Sequence, residues 1–291
     1  NIVKEEQRTQ FVREFIHRLR LEYEDEGEFV QNLLSEISLI KNMSLNLDHY
    51  YSANCPEEVF RRIFRAYQEF LYQNRLLDFD DMLVYTKELL EKRQDILAAW
   101  QKKYRYILID EFQDINQIQY DIIRMLAAPE NHLFIVGDDD QSIYRFRGAK
   151  PEIMLNFEKD YPETEKVILD INYRSGTEIV KAAGLLIGHN RTRFRKNIQP
   201  AGNTGIPVSV QEFKNQKEQN LAVIREIRSL HEDAGISYDQ IAVLFRTNAQ
   251  PGMFIRQLFD YNIPFISREH LPDIYDHWIA SDLFTYLRLA R

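Results

Sequence analysis

Two stretches of this sequence place acidic residues directly after short apolar runs. In Tyr106-Ile107-Leu108-Ile109-Asp110-Glu111-Phe112-Gln113-Asp114 the run ends in two adjacent carboxylates. A buried strand of an open α/β sheet delivers its last residues to the carboxyl edge, where such sheets bind ligands. At that edge Asp110 can hold Mg²⁺, directly or through water, and Glu111 can orient or deprotonate an attacking water. Nucleotide hydrolysis requires that division of labour. A strand that ends in solvated acids has the same pattern, and this segment alone leaves both readings open. The second stretch, FIVGDDDQSIYRFRGA at residues 134–149, follows another apolar run and so emerges at the same edge. Acids, the amide of Gln141, two aromatics and two arginines are costly as core and poor as a plain helix. They suit a loop that touches phosphate at one end and a stacked base at the other. Tyr144 and Phe146 offer flat faces to bases, and Arg145 and Arg147 offer charge to a phosphate backbone.

The elements that must position these residues change character along the chain. Residues 1 to about 100 are rich in Glu, Leu, Arg and Gln, with apolar residues at helical spacing: Val59, Ile63, Tyr67, Phe70 and Leu71 in one stripe, Met82, Tyr85, Leu89 and Leu90 in another. This region reads as a helical subdomain whose aromatics are core. Cys55-Pro56-Glu57-Glu58 marks a helix start, with Pro near the first turn and acids complementing the dipole. From Tyr104 onward short apolar runs appear at residues 107–109, 133–136, 167–169, 208–210 and 241–245, separated by helical patterns such as Ile118, Ile122, Met125 and Leu126. Strands buried on both faces of a parallel sheet have this look, so the class is α/β. Residues 200–207, with Gly202 and Gly205, read as a loop. The stripe Leu283, Leu287 and Ala290 predicts a last helix without a Gly or Asn cap, and the first residue is not Met, so both ends are expected to cut through larger domains.

Bulk properties narrow the classes further. The 291 residues suffice for two domains, and 44% hydrophobic with 28% charged residues excludes disordered, collagen-like and coiled-coil chains. A lone cysteine, Cys55, forms no internal disulfide and no thiolate cluster, which points to a reducing, cytoplasmic setting. No apolar run approaches the roughly 18 residues of a membrane span. A net charge of −8 argues against non-specific coating of nucleic acid, so any DNA contact is local. Two basic segments are available for it: Arg145, Arg147 and Lys150, and Arg191, Arg193, Arg195 and Lys196. The second reads as a solvated surface.

The runs DEFQD (residues 110–114), GDDDQSIYRFRGA (137–149) and LDINYRS (169–175), in this order, resemble motifs II, III and IV of the UvrD/Rep/PcrA family of superfamily 1 DNA helicases. LDFDDML (77–83) and IAVLFRTNAQ (241–250) fit as well, so the resemblance covers nearly the whole chain. It implies partial RecA-like (P-loop NTPase type) parallel-sheet domains with an N-terminal helical subdomain. Residues 1–75 would be a helical insertion of the first motor domain and 76–165 the second half of that domain. Residues 166–275 would be the first part of the second RecA-like domain and 276–291 the start of a second insertion. The implied cofactors are ATP and Mg²⁺, and the implied partners are single-stranded DNA and duplex DNA with a 3′ single-stranded tail. Asp110 would be the Mg²⁺-linked acid, Glu111 the general base, Gln141 the γ-phosphate sensor, Tyr173 the adenine-stacking residue and Arg174 an arginine finger. Tyr144, Phe146, Arg147 and Arg145 would meet single-stranded DNA. Phe146 stands where relatives often have Trp, which weakens stacking. Gly176 stands where many have Thr, which would loosen the following helix by roughly 1 kcal/mol if it lay inside it.

A nucleoside triphosphatase of this type also needs a glycine-rich loop with Gly-Lys-Ser/Thr around the phosphates. None of the ten glycines here is followed by Lys. The chain is therefore expected to be a portion of an ATP-dependent 3′-to-5′ DNA helicase that does not hydrolyse ATP by itself. Two further readings stand beside it: a stand-alone single-stranded-DNA-binding or partner-binding module, and part of a RecB/AddA-type helicase-nuclease.

Overall fold

The computed structural model describes residues 1–145, 148–202, 205–247, 250–267 and 278–289, with backbone alone at 278–281. Contacts divide the chain into two units, Asn1–Ile206 and Pro207–Arg291.

The first unit opens with α1 (Glu5–Leu19), α2 (Glu26–Met43) and α3 (Glu57–Gln73). Each carries a one-sided apolar stripe. Val12 and Ile16 of α1, Val30, Leu33, Ile37 and Ile40 of α2, and Phe60, Ile63, Tyr67 and Leu71 of α3 bury one another in a single core. The α3 helix starts directly after Pro56, where the Pro-Glu-Glu pattern predicts it, although Phe60 rather than Val59 takes the core position. In α4 (Phe79–Lys92) the predicted stripe is mostly exposed at Met82, Tyr85 and Leu89, and Leu90 alone of the four is buried. The α4 N-terminus is closed by a reciprocal cap: Asp78 accepts from the Asp81 N–H at 2.8 Å and Asp81 from the Asp78 N–H at 3.2 Å.

Those same carboxylates anchor α4 to α2. The Lys41 ammonium is buried and donates to Asp78 at 2.6 Å and to Asp81 at 2.7 Å. The Tyr67 hydroxyl also donates to Asp78, at 3.0 Å, and in turn accepts from Arg8 Nε at 3.0 Å. One step along, Asn42 Nδ2 donates to Asp80 at 2.8 Å and Asn42 Oδ1 accepts from Asn116 Nδ2 at 3.0 Å. The acids of the LDFDDML run thus hold α1, α2, α3, α4 and the start of the helix that begins at Gln117 together.

After α5 (Gln94–Lys103) the chain forms β1 (Ile107–Ile109), α6 (Gln117–Ala127) and β2 (Leu133–Ile135). The two strands pair in parallel, with Ile107 beside Leu133 and Ile109 beside Ile135. Then follow α7 (Pro151–Leu155), α8 (Phe157–Asp160), β3 (Ile171–Asn172), α9 (Thr177–Ile187) and β4 (Gln199–Pro200), with β3 and β4 again parallel. The chain is mixed α/β and helix-rich, with two small parallel sheets. Ile109, Leu133 and Ile135 turn towards a core of Phe112, Ile115, Tyr120, Ile153 and Phe157. On the opposite face Leu108 and Phe134 are 71% and 61% exposed. The expectation of strands buried on both faces is therefore corrected: among the described residues one face of β1 and β2 is covered. Side chains alternate along a strand, so a single packed layer buries only every second one.

Three predicted strands also differ. Residues 167–169, 208–210 and 241–245 are not strands, and β3 begins two residues after the first of them. An apolar run becomes a strand only where a neighbour receives its N–H and C=O groups, and the described residues offer these runs none. Gly176 is the N-cap of α9, with extended backbone, rather than a residue inside it, so the interior glycine penalty does not apply. At an N-cap Gly is only a few tenths of a kcal/mol poorer than Thr.

In the second unit α10 (Gln216–Glu232) is capped by Asn215, which accepts from the Glu218 N–H at 2.9 Å. It packs on α11 (Pro251–Asp260) through Ile224, Ile227, Phe254, Leu258 and Ile263. The last predicted helix forms as α12 (Trp278–Leu289), with Leu283 and Leu287 exposed and Ala290 outside the described residues. No helix among the described residues is long and apolar enough to cross a membrane.

Replacing Lys41 by Met leaves two buried carboxylates facing each other without a countercharge. The variant is expected to lose ~3–5 kcal/mol of unfolding free energy in urea titration, and a loss below ~1 kcal/mol would contradict the network's role. Burial disfavours the Asp78 carboxylate, but the Lys41 charge and the hydrogen bonds from Lys41, the Asp81 N–H and Tyr67 together outweigh it and hold the group below the ordinary value of 3.8. Its stabilisation is therefore fully present above pH 3.8 and disappears as acid takes the pH down through the lowered folded value.

Candidate active site

The carboxyl ends of β1 and β2 continue into two loops that are stitched together. The Val136 N–H donates to the Ile109 carbonyl at 2.8 Å, and the Phe112 N–H donates back to the Val136 carbonyl at 2.9 Å. Between them the chain turns sharply at Glu111, whose φ of 49° and ψ of 40° lie in the left-handed region. A residue with a Cβ pays roughly 1–2 kcal/mol there. The Asp110 carboxylate accepts the Glu111 N–H at 2.9 Å. Both acids are exposed at the sheet edge, where the sequence puts them. Phe112, beside them, is fully buried and fixes the turn to the core.

Gln113 joins the two loops. Its side chain is 1% exposed. Its Nε2 donates to Glu111 Oε2 at 2.8 Å, and its Oε1 accepts the Asp138 N–H at 2.9 Å. Asp138 then accepts from Gln141 Nε2 at 2.9 Å, and the Gln141 N–H donates to the Asp138 carbonyl at 2.9 Å. A continuous relay of hydrogen bonds thus runs from Glu111 through Gln113 and Asp138 to Gln141. Gly137 makes it possible, because a Cβ at that position would sit 2.6 Å from Gln113 Oε1 and 3.1 Å from both the Met154 sulfur and the Phe112 nitrogen. Sequence reasoning missed Gln113. The only signal was an amide two residues beyond Glu111, adjacent to a phenylalanine that had to be core. Asp114, also in this turn, is pushed above its usual value by burial and by the neighbouring Glu111 charge.

The other predicted residues are less gathered. Tyr173 and Arg174 follow β3 in a turn in which Asn172 Oδ1 accepts the Arg174 N–H at 3.0 Å and the Ser175 N–H at 2.8 Å. Tyr173 is 82% exposed. Among the described residues no hydrogen bond or ion pair joins either side chain to the acidic site. Tyr144 and Arg145 lie on the loop after Gln141, closed by a bond from the Gly148 N–H to the Arg145 carbonyl at 3.0 Å with Gly148 at φ 87°. The Arg145 guanidinium is engaged by Glu152. Phe146 and Arg147 lie outside the described residues. Of the two basic segments, the second is corrected: Arg193 and Lys196 are not a solvated face but are paired with Asp138, Asp139 and Asp140.

The sequence model for the UvrD/REP helicase N-terminal domain matches residues 1–162, and that for the UvrD-like helicase C-terminal domain matches residues 167–291. The chain belongs to the UvrD/Rep helicase family. It is 33% identical over 282 residues to YjcD of Bacillus subtilis (strain 168), which covers 97% of this chain and 37% of that protein. It is 34% identical over 260 residues to the ATP-dependent DNA helicase PcrA of Staphylococcus epidermidis and 35% identical over 260 residues to that of Staphylococcus aureus (strain Mu50), covering 89% of this chain in each case. The chain spans about a third of the length of these UvrD-type relatives, 35% of either PcrA.

Gln113→Leu preserves size while leaving the Asp138 N–H without its partner. It is expected to cost ~1–3 kcal/mol of stability and to expose the Asp138 amide to hydrogen exchange. An Asp138 amide that exchanges as slowly in the variant as in the parent would rule the bridge out.

Proposed function

We propose that this chain is the portion of an ATP-dependent 3′-to-5′ DNA helicase that carries the hydrolytic acids. The whole protein would unwind duplex DNA by ATP-driven translocation on single-stranded DNA. The observation that carries this reading is the relay from Glu111 to Gln141. It fixes a candidate general base and a candidate phosphate sensor to each other at one sheet edge, in a member of a helicase family. The left-handed backbone at Glu111 supports it, since strain of this kind concentrates where a side chain must be aimed.

In this mechanism Glu111 takes the proton of the attacking water. Gln113 holds one of its carboxylate oxygens, which leaves the other for the water. Gln141 contacts the γ-phosphate, Arg174 neutralises charge that develops on it, and Tyr173, with its ring exposed, stacks on adenine. The exposed Asp110 uses one oxygen for the Glu111 N–H, and its second oxygen is a hard ligand of the kind Mg²⁺ takes, so the residue fits that ion. Mg²⁺ bound there supplies charge neutralisation on the phosphates. Tyr144, Phe146, Arg147 and Arg145 meet single-stranded DNA, for which Arg145 must leave Glu152. The protein works in the cytoplasm on DNA with a 3′ single-stranded tail. Within it residues 1–75 are a helical insertion, 76–165 and 166–275 parts of two RecA-like domains, and 276–291 the start of a second insertion.

In the full-length protein Glu111→Gln is expected to lower kcat for DNA-stimulated ATP hydrolysis by ~10²–10⁴-fold, with ATP binding retained in a fluorescent-nucleotide titration. The 291-residue chain alone should release no phosphate above background. Turnover by the isolated chain, or an unimpaired Glu111→Gln enzyme, would contradict the proposal.

A further inference from the structure

The 3₁₀ turn that carries Gln141 spans only Asp139–Gln141 and follows Asp138, so three consecutive carboxylates crowd into it, with oxygens within 4.8 Å of one another. Like charges this close repel strongly unless a cation intervenes. The cation comes from far along the chain. Lys196 Nζ lies 2.5 Å from Asp138, 2.5 Å from Asp139 and 3.0 Å from Asp140. Arg193 grips Asp140 with two parallel bonds, Nε to Oδ1 at 2.7 Å and Nη2 to Oδ2 at 2.5 Å, the fork geometry that gives such pairs direction as well as strength. The Phe194 N–H adds a bond to Asp139 Oδ2 at 2.8 Å, and Asp139 is left with a side chain only 2% exposed.

The lock reaches Gln141 by one step. Asp138 gives one oxygen to Lys196 and the other to Gln141 Nε2. It also reaches the candidate arginine finger. Lys196 stands three residues before Gln199, which pairs with Ile171 in the β3–β4 ladder, and that ladder leads into Tyr173 and Arg174. Residues matched by the C-terminal family domain therefore hold the phosphate-sensing turn of the N-terminal one.

We propose that Lys196 and Arg193 are positioning residues for Gln141, an ionic lock that sets the 138–141 turn in register with the segment bearing Arg174. Without Lys196 the three carboxylates spread, Asp138 is free to rotate, and Gln141 loses its anchor although no group that touches nucleotide has changed. The inference rests on the hydrolytic reading of Glu111 and Gln141 given above.

The test is DNA-stimulated ATP hydrolysis by the full-length protein, with Tm measured in parallel. Lys196→Met is expected to lower kcat by about tenfold or more and to leave KM for ATP nearly unchanged at an assay temperature well below its Tm, which falls because Asp138, Asp139 and Asp140 lose their shared countercharge. Lys196→Arg, which keeps the charge, should recover most of the rate. Arg193→Gln, a milder change that serves if Lys196→Met does not fold, should give a smaller loss of kcat, again without a shift in KM. An unchanged kcat in Lys196→Met and Arg193→Gln overturns the proposal. So does a loss of rate that tracks a fall in Tm and is not recovered by Lys196→Arg, because that pattern marks a merely structural contact. Glu111→Gln is measured alongside: if it hydrolyses ATP as fast as the parent, the hydrolytic reading itself fails and the lock's assignment fails with it, whatever the Lys196 variants do.

Discussion

Two paired strands of three residues each cannot by themselves decide where the chain goes after they end. At the carboxyl edge of β1 and β2 that decision falls to one buried amide. Gln113 has a donor and an acceptor on opposite sides of its side chain, and the fold spends the donor on Glu111 and the acceptor on the Asp138 N–H. A carboxylate in that place could not donate, an ammonium could not accept, and an aliphatic residue would leave a buried N–H unpaired. Gly137 and Phe112 serve the same constraint: the first leaves room for the amide, and the second, buried in the adjoining core, anchors the turn that carries it.

Around this amide the structure handles charge in one consistent way, by burying cations against pairs or triples of acids. Lys41 is held by Asp78 and Asp81 among the helices of the N-terminal region, and Lys196 by Asp138, Asp139 and Asp140 beside the site. For Lys196 burial disfavours the charge, but its three carboxylate partners outweigh that and raise its pKa. Such groups contribute little net stability compared with an apolar core, yet breaking one is costly. They therefore act as specifiers of geometry, fixing α2 against α4 in one case and the turn at residues 138–141 in the other.

Much of the acidic edge was legible in the sequence, because an apolar run that ends in Asp110 and Glu111 states both a strand and its exit. The α3 stripe and its Pro56 start were legible for a similar reason: helical periodicity is local. What was not legible depends on partners remote in sequence. Gln113 looks like any polar loop residue until residue 138 is brought beside it. Arg193 and Lys196 look like a solvated basic patch until acids more than fifty positions earlier, 53 for Arg193 and Asp140, are found against them. The runs at 167–169, 208–210 and 241–245 carry strand composition, but pairing needs a neighbour that composition cannot supply. The family motifs point to candidate residues just beyond β1, β2 and β3, whereas the contacts that hold those residues are visible only in the fold.

On the function proposed for this chain, the Gln113 bridge presents Glu111 and Gln141 together to one γ-phosphate. A crystal structure of the full-length protein with Mg²⁺, a non-hydrolysable ATP analogue and single-stranded DNA tests it most directly. In that complex Gln113 is expected still to span Glu111 and the Asp138 N–H. Gln141 is expected within about 2.6–3.2 Å of a γ-phosphate oxygen or of the attacking water, and Glu111 at the same reach of that water. A nucleotide bound with Glu111 and Gln141 both turned away from the γ-phosphate, or a Gln113 side chain that has released either partner, would contradict it.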